Sequence, residues 1–265
     1  MIFDTHSHCY WDILEPCIDE IVSNMYKNWV TKAVQIGCDE ESSLKAISLA
    51  QRFPWVFYAT VWLHPETAQD RGGYISIEKY EALIIEHREY IVAVGETGFD
   101  HHYLTPGKES EQKSHQQAWF VMQWELASRY NLPLVIHTRD ARDKTLEFMK
   151  EQAINRCVMH CFSEDWEFAR ELLEFSSEIY FSFSGIVTYK NAPKIQEAAM
   201  KIPLNRILIE TDAPFLAPQA VRGSVNEPAN TRYILEKICE LRTESSKEIE
   251  DVIYENSLRF YRLSS

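Results

Sequence analysis

Eight short, mostly apolar runs recur along the chain, each bounded by turn or capping residues and each followed by a helical pattern. They are Ile2–His8, Ala33–Cys38, Phe57–His64, Ile91–Thr97, Pro133–Thr138, Arg156–Phe162, Tyr180–Ile186 and Arg206–Thr211. Parallel strands covered on both faces read in this way, because neither side of the strand needs polar residues. The segments between them carry apolar residues at the helical period, as in Ile18, Ile21, Val22, Met25 and Trp29, or Trp119, Met122 and Leu126. Asn191 with Pro193, and Ser163 before its acidic turn, read as helix starts. Ser245 with Glu248 reads as a capping box. Eight strands alternating with helices over 265 residues is the count of a single-domain (β/α)8 TIM barrel spanning 1–265, with an open doubly wound sheet as the alternative. There is no GxGxxG or GxxxxGK(S/T) loop to support nucleotide-cofactor binding.

Composition removes several function classes. The chain is 45% hydrophobic with only 8 Gly and 10 Pro, enough apolar residues for a core and too few linker residues for disorder. No apolar run is long enough to span a membrane. Met1-Ile2-Phe3-Asp4-Thr5-His6 lacks the basic and apolar regions of a signal peptide, so a cytoplasmic protein is expected; separately, a monomer is expected. Cys9, Cys17, Cys38, Cys157, Cys161 and Cys239 form no CxxC pair and read as small buried side chains rather than bridges. The net charge of -13 opposes non-specific nucleic-acid binding. A polyanionic substrate must therefore meet a local positive field, from clustered Arg and Lys or from bound cations.

The histidines carry the chemistry. Of nine, His6, His8, His64, His101, His102, His137 and His160 fall at or just after the end of a strand candidate, and only His87 and His115 fall in helical patterns. Strand C-termini build the active site of a barrel of this kind. His6-Ser7-His8 places two imidazoles on one side of the first strand, where they can share a cation. Asp4 would lie one layer deeper, orienting a ligand or filling a polar layer of the core. Glu96 ends the fourth strand, His137 the fifth and His160 the sixth, and Asp212 follows the eighth. Singly, each has an ordinary structural explanation. Jointly, four His and two carboxylates at strand ends fit a site for two divalent cations with N and O donors, bridged by Glu96. Two carboxylates against two such ions leave roughly +2 at the mouth, a field that recruits phosphate and suits hydrolysis.

Six segments, taken in order, resemble the TatD family of metal-dependent hydrolases. They are Asp4-Thr5-His6-Ser7-His8, Gly95-Glu96-Thr97-Gly98-Phe99-Asp100, Val135-Ile136-His137-Thr138-Arg139, His160-Cys161-Phe162-Ser163, Phe181 to Thr188, and Glu210-Thr211-Asp212-Ala213-Pro214. The likeness continues through Arg222-Gly223, Asn226-Glu227-Pro228-Ala229 and the helix bearing Asn256. It implies an amidohydrolase-like TIM barrel and a nuclease that cleaves single-stranded DNA or RNA, often from the 3′ end. It also implies that His6, His8 and Asp212 hold one cation and His137 and His160 the other, with Glu96 between them. Asp212 would in addition accept the proton of the attacking water. Mg, Mn and Zn all suit such donors.

The chain departs from the family pattern at its rim. Trp62-Leu63-His64-Pro65-Glu66 keeps one His of the usual Gly-x-His-Pro-His, His101-His102 stand where an aromatic pair is usual, and Glu164 replaces a Gly. His64 is a candidate for the substrate phosphate or leaving group. Arg139 is a candidate phosphate clamp, or a salt-bridge partner of Asp140, and Arg222 is a substrate or loop residue. Glu227 reads as a loop anchor. Trp11, Trp62 and Phe215 are candidates for stacking on bases. Two other functions stay open: hydrolysis of an ester or amide, such as aminoacyl-tRNA deacylation, by the same chemistry, and a non-enzymatic metal-binding scaffold.

Overall fold

Neighbouring residues in every strand enter different cores, and this split dictates the architecture. Phe3, Val34, Tyr58, Val92, Val135, Val158, Tyr180 and Leu208, one from each strand, form one buried cluster. Ile2, Ala33, Phe57, Ile91, Leu134, Cys157, Ile179 and Ile207, the residues just before them, belong to a second cluster shared with the helices. Successive side chains of a strand point to opposite faces, so a sheet apolar on both faces must be lined inside and wrapped outside.

The computed structural model describes residues 1–71 and 76–264. Its strands are β1 (Ile2–Ser7), β2 (Val30–Gln35), β3 (Phe57–Val61), β4 (Ile91–Asp100), β5 (Leu134–Arg139), β6 (Cys157–Met159), β7 (Ile179–Phe183) and β8 (Ile207–Ile209). They pair in parallel in sequence order, forming a nearly closed barrel. The helices are α1 (Ile18–Lys27), α2 (Glu40–Arg52), α3 (Pro65–Ala68), α4 (Ile77–Glu86), α5 (Glu109–Arg129), α6 (Arg142–Glu151), α7 (Trp166–Phe175), α8 (Pro193–Lys201), α9 (Thr231–Leu241) and α10 (Ser246–Tyr261). The expected start at Pro193 and the Ser245 cap are both present, Ser245 Oγ accepting from Glu248 N at 3.2 Å. The start expected at Ser163 lies two residues later, where Asp165 caps α7 by accepting from Phe168 N. No helix among the described residues is long and apolar enough to cross a membrane.

The seam between β8 and β1 is made differently from the other seven. A single bridge joins Ser7 and Ala213. His8 N donates to Ala213 O at 2.8 Å, Asp212 N donates to His6 O at 2.9 Å, and Thr5 Oγ1 donates to Ile209 O at 3.0 Å. Asp4 reinforces the join by accepting from Thr211 N at 2.8 Å and Thr211 Oγ1 at 2.6 Å. At the opposite end, Tyr254, Leu258, Phe260 and Tyr261 of α10 pack under the inner cluster. Tyr261 donates to Thr5 O at 2.9 Å there, so α10 covers the base of the barrel and leaves the strand C-termini as the open mouth.

Two strands carry an extra residue where the site needs one. Pairing of β1 with β2 runs Asp4–Ala33 and then Ser7–Gln35, and pairing of β4 with β5 runs Val94–Leu134 and then Thr97–Ile136. A bulge of this sort re-aims the side chains around it. All six cysteines are free, but only Cys9 and Cys157 are fully buried, and Cys17 is exposed.

Candidate metal centre

Four strand ends converge on Glu96, which β4 presents at its bulge. Its Oε1 lies 2.7 Å from His137 Nδ1 and 2.6 Å from His160 Nε2, with His64 Nε2 at 3.4 Å. Its Oε2 faces the other way, 3.4 Å from His6 Nε2. On that side Asp212 Oδ1 lies 3.5 Å from His6 Nε2 and 3.4 Å from His8 Nε2. The His6 and His160 rings stack at 4.1 Å, which ties the two halves into one site. Donor atoms therefore gather in groups: His6, His8 and Asp212; His6, Glu96 and His160; His64, Glu96 and His137; and His8, Cys38 and Glu96.

Three of the imidazoles are held from behind. His160 Nδ1 meets Glu210 Oε1 at 3.1 Å, an oxygen that also accepts from Cys161 N at 2.7 Å. His137 Nε2 meets Asp100 Oδ2 at 3.1 Å, and His8 Nδ1 lies 3.1 Å from Ile36 O and 3.0 Å from Tyr10 Oη. Such carboxylate and carbonyl partners fix the tautomer and orientation of ligating histidines. Asp212 is set by its backbone, a left-handed residue with φ of 56° pinned through Asp212 N to His6 O. A non-glycine residue in that region costs about 1 kcal/mol or more, a strain typical of functional positions.

The charges match the geometry. Burial alone would raise the Glu96 carboxyl, but the neighbouring His160 and His64 and hydrogen bonds from His137 and His160 hold it well below the usual range. Burial is likewise outweighed at Asp212 by His8 and His6, so this carboxyl is lowered as well. His160 is raised well above the ordinary imidazole value: burial opposes its charge, and Glu96 and Glu210 overcome that opposition. His137 is raised by Asp100 and Glu96 against the same opposition. His6 is lowered, chiefly by burial, and neither of its ring nitrogens has a hydrogen-bond partner. A fully buried, neutral imidazole with free nitrogens, aimed between two ionised carboxylates, fits a divalent-cation ligand.

Every residue expected at the centre is present in this cluster. His64 stands with Glu96 and His137, its Nδ1 accepting from Glu66 N at 3.2 Å at the start of α3. Arg139 and Arg222 lie at the rim, exposed, each laid over an aromatic ring: Arg139 over Tyr103 at 4.8 Å and Arg222 over Tyr189 at 4.2 Å. Asp140 instead pairs with His102, at 2.7 Å. Glu227 accepts from Asn24 at 3.3 Å, the anchoring contact expected of it. Asp4, fully buried and bonded to Thr211 at the seam, fills a polar layer of the core, the second of its two expected roles, and orients no imidazole. Trp62 cannot stack on a base: it is fully buried between Tyr80 and Trp119, at 4.5 and 6.3 Å. Glu210 and Asp100 escaped the sequence reading as functional residues. Their only signal was their place inside the motifs of Asp212 and Glu96.

A family model described as TatD related DNase matches residues 3–262. The metal-dependent hydrolase YcfH of Escherichia coli strain K12, itself uncharacterized, is 41% identical over 272 residues, covering all of this chain and 97% of its own. The uncharacterized metal-dependent hydrolase YabD of Bacillus subtilis strain 168 is 35% identical over 268 residues, covering both chains fully. Among solved structures, YJJV of E. coli K12, described as a TatD homolog, superposes with a TM-score of 0.90 at 26% identity, covering 99% of this chain and 98% of its own.

Proposed function

This chain belongs to the TatD family of metal-dependent hydrolases, and from that membership we propose that it hydrolyses phosphodiester bonds of single-stranded DNA or RNA, releasing nucleotides from the 3′ end. The observation that carries this reading is the Glu96 carboxylate, which turns one oxygen to His137 and His160 and the other to His6. With Asp212, His6 and His8 on one side, these residues would hold two divalent cations, Mg, Mn or Zn. Two such cations make water nucleophilic near neutral pH and offset the charge developing on the leaving oxygen.

The chain's own residues do the rest. Asp212 remains ionised and reaches the mouth, its side chain 16% exposed, so it can accept the proton of the attacking water. His64, also 16% exposed, faces the same space and can contact the phosphate or the leaving oxygen. Arg139 and Arg222 stand at the rim, where a swing of either side chain off its aromatic ring would bring a guanidinium to a substrate phosphate. Glu210 and Asp100 keep His160 and His137 in register.

The test is turnover of a 5′-labelled single-stranded oligonucleotide after chelation and re-addition of Mg, Mn or Zn. A metal-restored ladder shortening from the 3′ end is expected, with activity lowered about 100-fold or more in Glu96→Gln and bound metal lost in parallel. Full activity in Glu96→Gln would overturn the two-cation arrangement. No cleavage with any metal, while two ions per chain are bound, would favour an ester or amide substrate such as an aminoacyl-tRNA.

A further inference from the structure

Beside the metal centre lies a cavity of about 620 Å³ that the reaction described above does not use. Its walls are the loops after β1, β2 and β8, with Trp11, Ile13, Phe215 and Val225 among the lining residues. Trp11 and Phe215, 43% and 44% exposed, both open onto this cavity. Their rings meet edge to face at 5.1 Å. Both are fastened to the centre by the same device. Trp11 N donates to His8 O at 3.2 Å, and Phe215 N donates to Asp212 O at 2.9 Å, so each ring stands one turn beyond a candidate metal ligand.

The loop bearing Phe215 is rigid. Asn226, fully buried, donates through Nδ2 to Phe215 O at 2.7 Å and to Thr211 O at 3.0 Å. The charges around the cavity are acidic: Asp12, Asp39 and Glu41 line it, and its one lysine, Lys45, is paired with Glu41 at 2.9 Å. Such a rim repels phosphate, whereas two preset aromatic rings over an apolar floor favour a flat, uncharged ring.

The geometry points to this cavity as the subsite for the terminal nucleobase of the strand, with the scissile phosphate at the metal centre and no phosphate beyond it on this side. The inference rests on the phosphodiesterase reading and deepens it. The acidic rim leaves room for a strand end and disfavours passage of a continuous backbone, so it selects ends over internal positions. Base–aromatic stacking of about 1–3 kcal/mol per base corresponds to roughly 5- to 150-fold in kcat/KM.

The experiment compares two oligonucleotides of equal length and charge, one with a normal 3′-terminal nucleoside and one abasic at that position. The intact protein is expected to prefer the normal end within the range above. The preference should fall towards one in Trp11→Ala and in Phe215→Ala, and return in Trp11→Phe and Phe215→Tyr. Equal rates on both ends in the unaltered protein, or a preference that survives both alanine variants, would overturn the inference. Fluorescence of 2-aminopurine deoxynucleoside monophosphate separates this outcome from failure of the phosphodiesterase reading. Quenching by the unaltered protein and not by Trp11→Ala, with neither oligonucleotide cleaved, would retain the ring subsite and discard the phosphodiesterase. Absence of quenching would discard the subsite whatever is cleaved.

Discussion

At the residue scale, the centre is a set of imidazoles whose basicity is set by what stands behind them. Glu210 receives both His160 Nδ1 and the Cys161 amide, and it is itself almost fully buried. Glu210→Gln removes the charge and keeps the shape, so metal affinity or kcat should fall about 10- to 100-fold while Tm changes little, as measured by metal titration and by thermal melting. Unchanged metal binding would show that Glu210 only closes the barrel interior. Proton linkage gives a second prediction. His160 and His137 are raised above the ordinary imidazole value, so in the metal-free protein they hold protons to higher pH than a free histidine. A cation must displace those protons, and apparent affinity therefore rises as pH rises through the raised values and levels off above them. The slope is about tenfold per pH unit for each proton released. Calorimetry in two buffers of different ionisation heat counts those protons, and a pH-independent affinity would contradict the charge assignment. Both orienting carboxylates, Glu210 and Asp100, were invisible as functional residues in the sequence. A carboxylate that holds a ligand has no spacing of its own; only the fold says which histidine it will meet.

Among the elements, β4 and β5 matter most because they carry Glu96 and His137 and lie unusually close. Gly98, at φ of 137°, pairs with His137, and a Cβ placed on it would fall 2.0 Å from His137 O. Gly98→Ala must push the two strands apart or unpair them. A loss of at least about 2 kcal/mol is expected, or roughly 4–8 °C in Tm for a chain of this size, together with weaker metal binding. Retained Tm with retained metal affinity would show that the pair tolerates separation. The eight strands themselves were legible in order, because two-sided burial makes each a continuous apolar run. Their ends were less so. The run Phe57–His64 stops as a strand at Val61, and Arg156–Phe162 contracts to Cys157–Met159, because the last residues of each run leave the ladder to place His64 and His160. The bulges in β1 and β4 had no sequence signal, since an extra residue in one strand is defined only by its partner; of the two roles open to Asp4, the structure fits the polar layer of the core. His6, His8, His137, His160 and Asp212 stand out in the sequence as ionisable residues in or just past apolar runs, whereas Glu96, expected to end its strand, lies inside β4, which runs on to Asp100.

For the molecule as a whole, the net charge of -13 sets how a polyanion approaches. A basic nucleic-acid binder loses affinity steeply between about 50 and 200 mM salt as counterions are no longer released to advantage. On the phosphodiesterase reading the bulk of the surface would repel the substrate and attraction would be confined to the mouth, so added salt would screen repulsion as well as attraction. KM for an oligonucleotide should stay level within about twofold, or fall, over that range, as steady-state kinetics would register. A steep rise would reveal a cationic track along the surface.

The seam between β8 and β1 has a consequence for the history of each molecule. His6 and His8 are made about two hundred residues before Asp212. The same residues that furnish the donors also supply the bonds that close the ring, His8 N to Ala213 O and Asp212 N to His6 O. A chain still lacking β8 therefore owns every candidate ligand but Asp212 and has an open edge, and bringing distant strands together is the slow part of assembling such a sheet. The His6, His8 and Asp212 group is complete only once the ring shuts. On the phosphodiesterase reading, an unfinished chain would thereby be harmless to any nucleic acid around it.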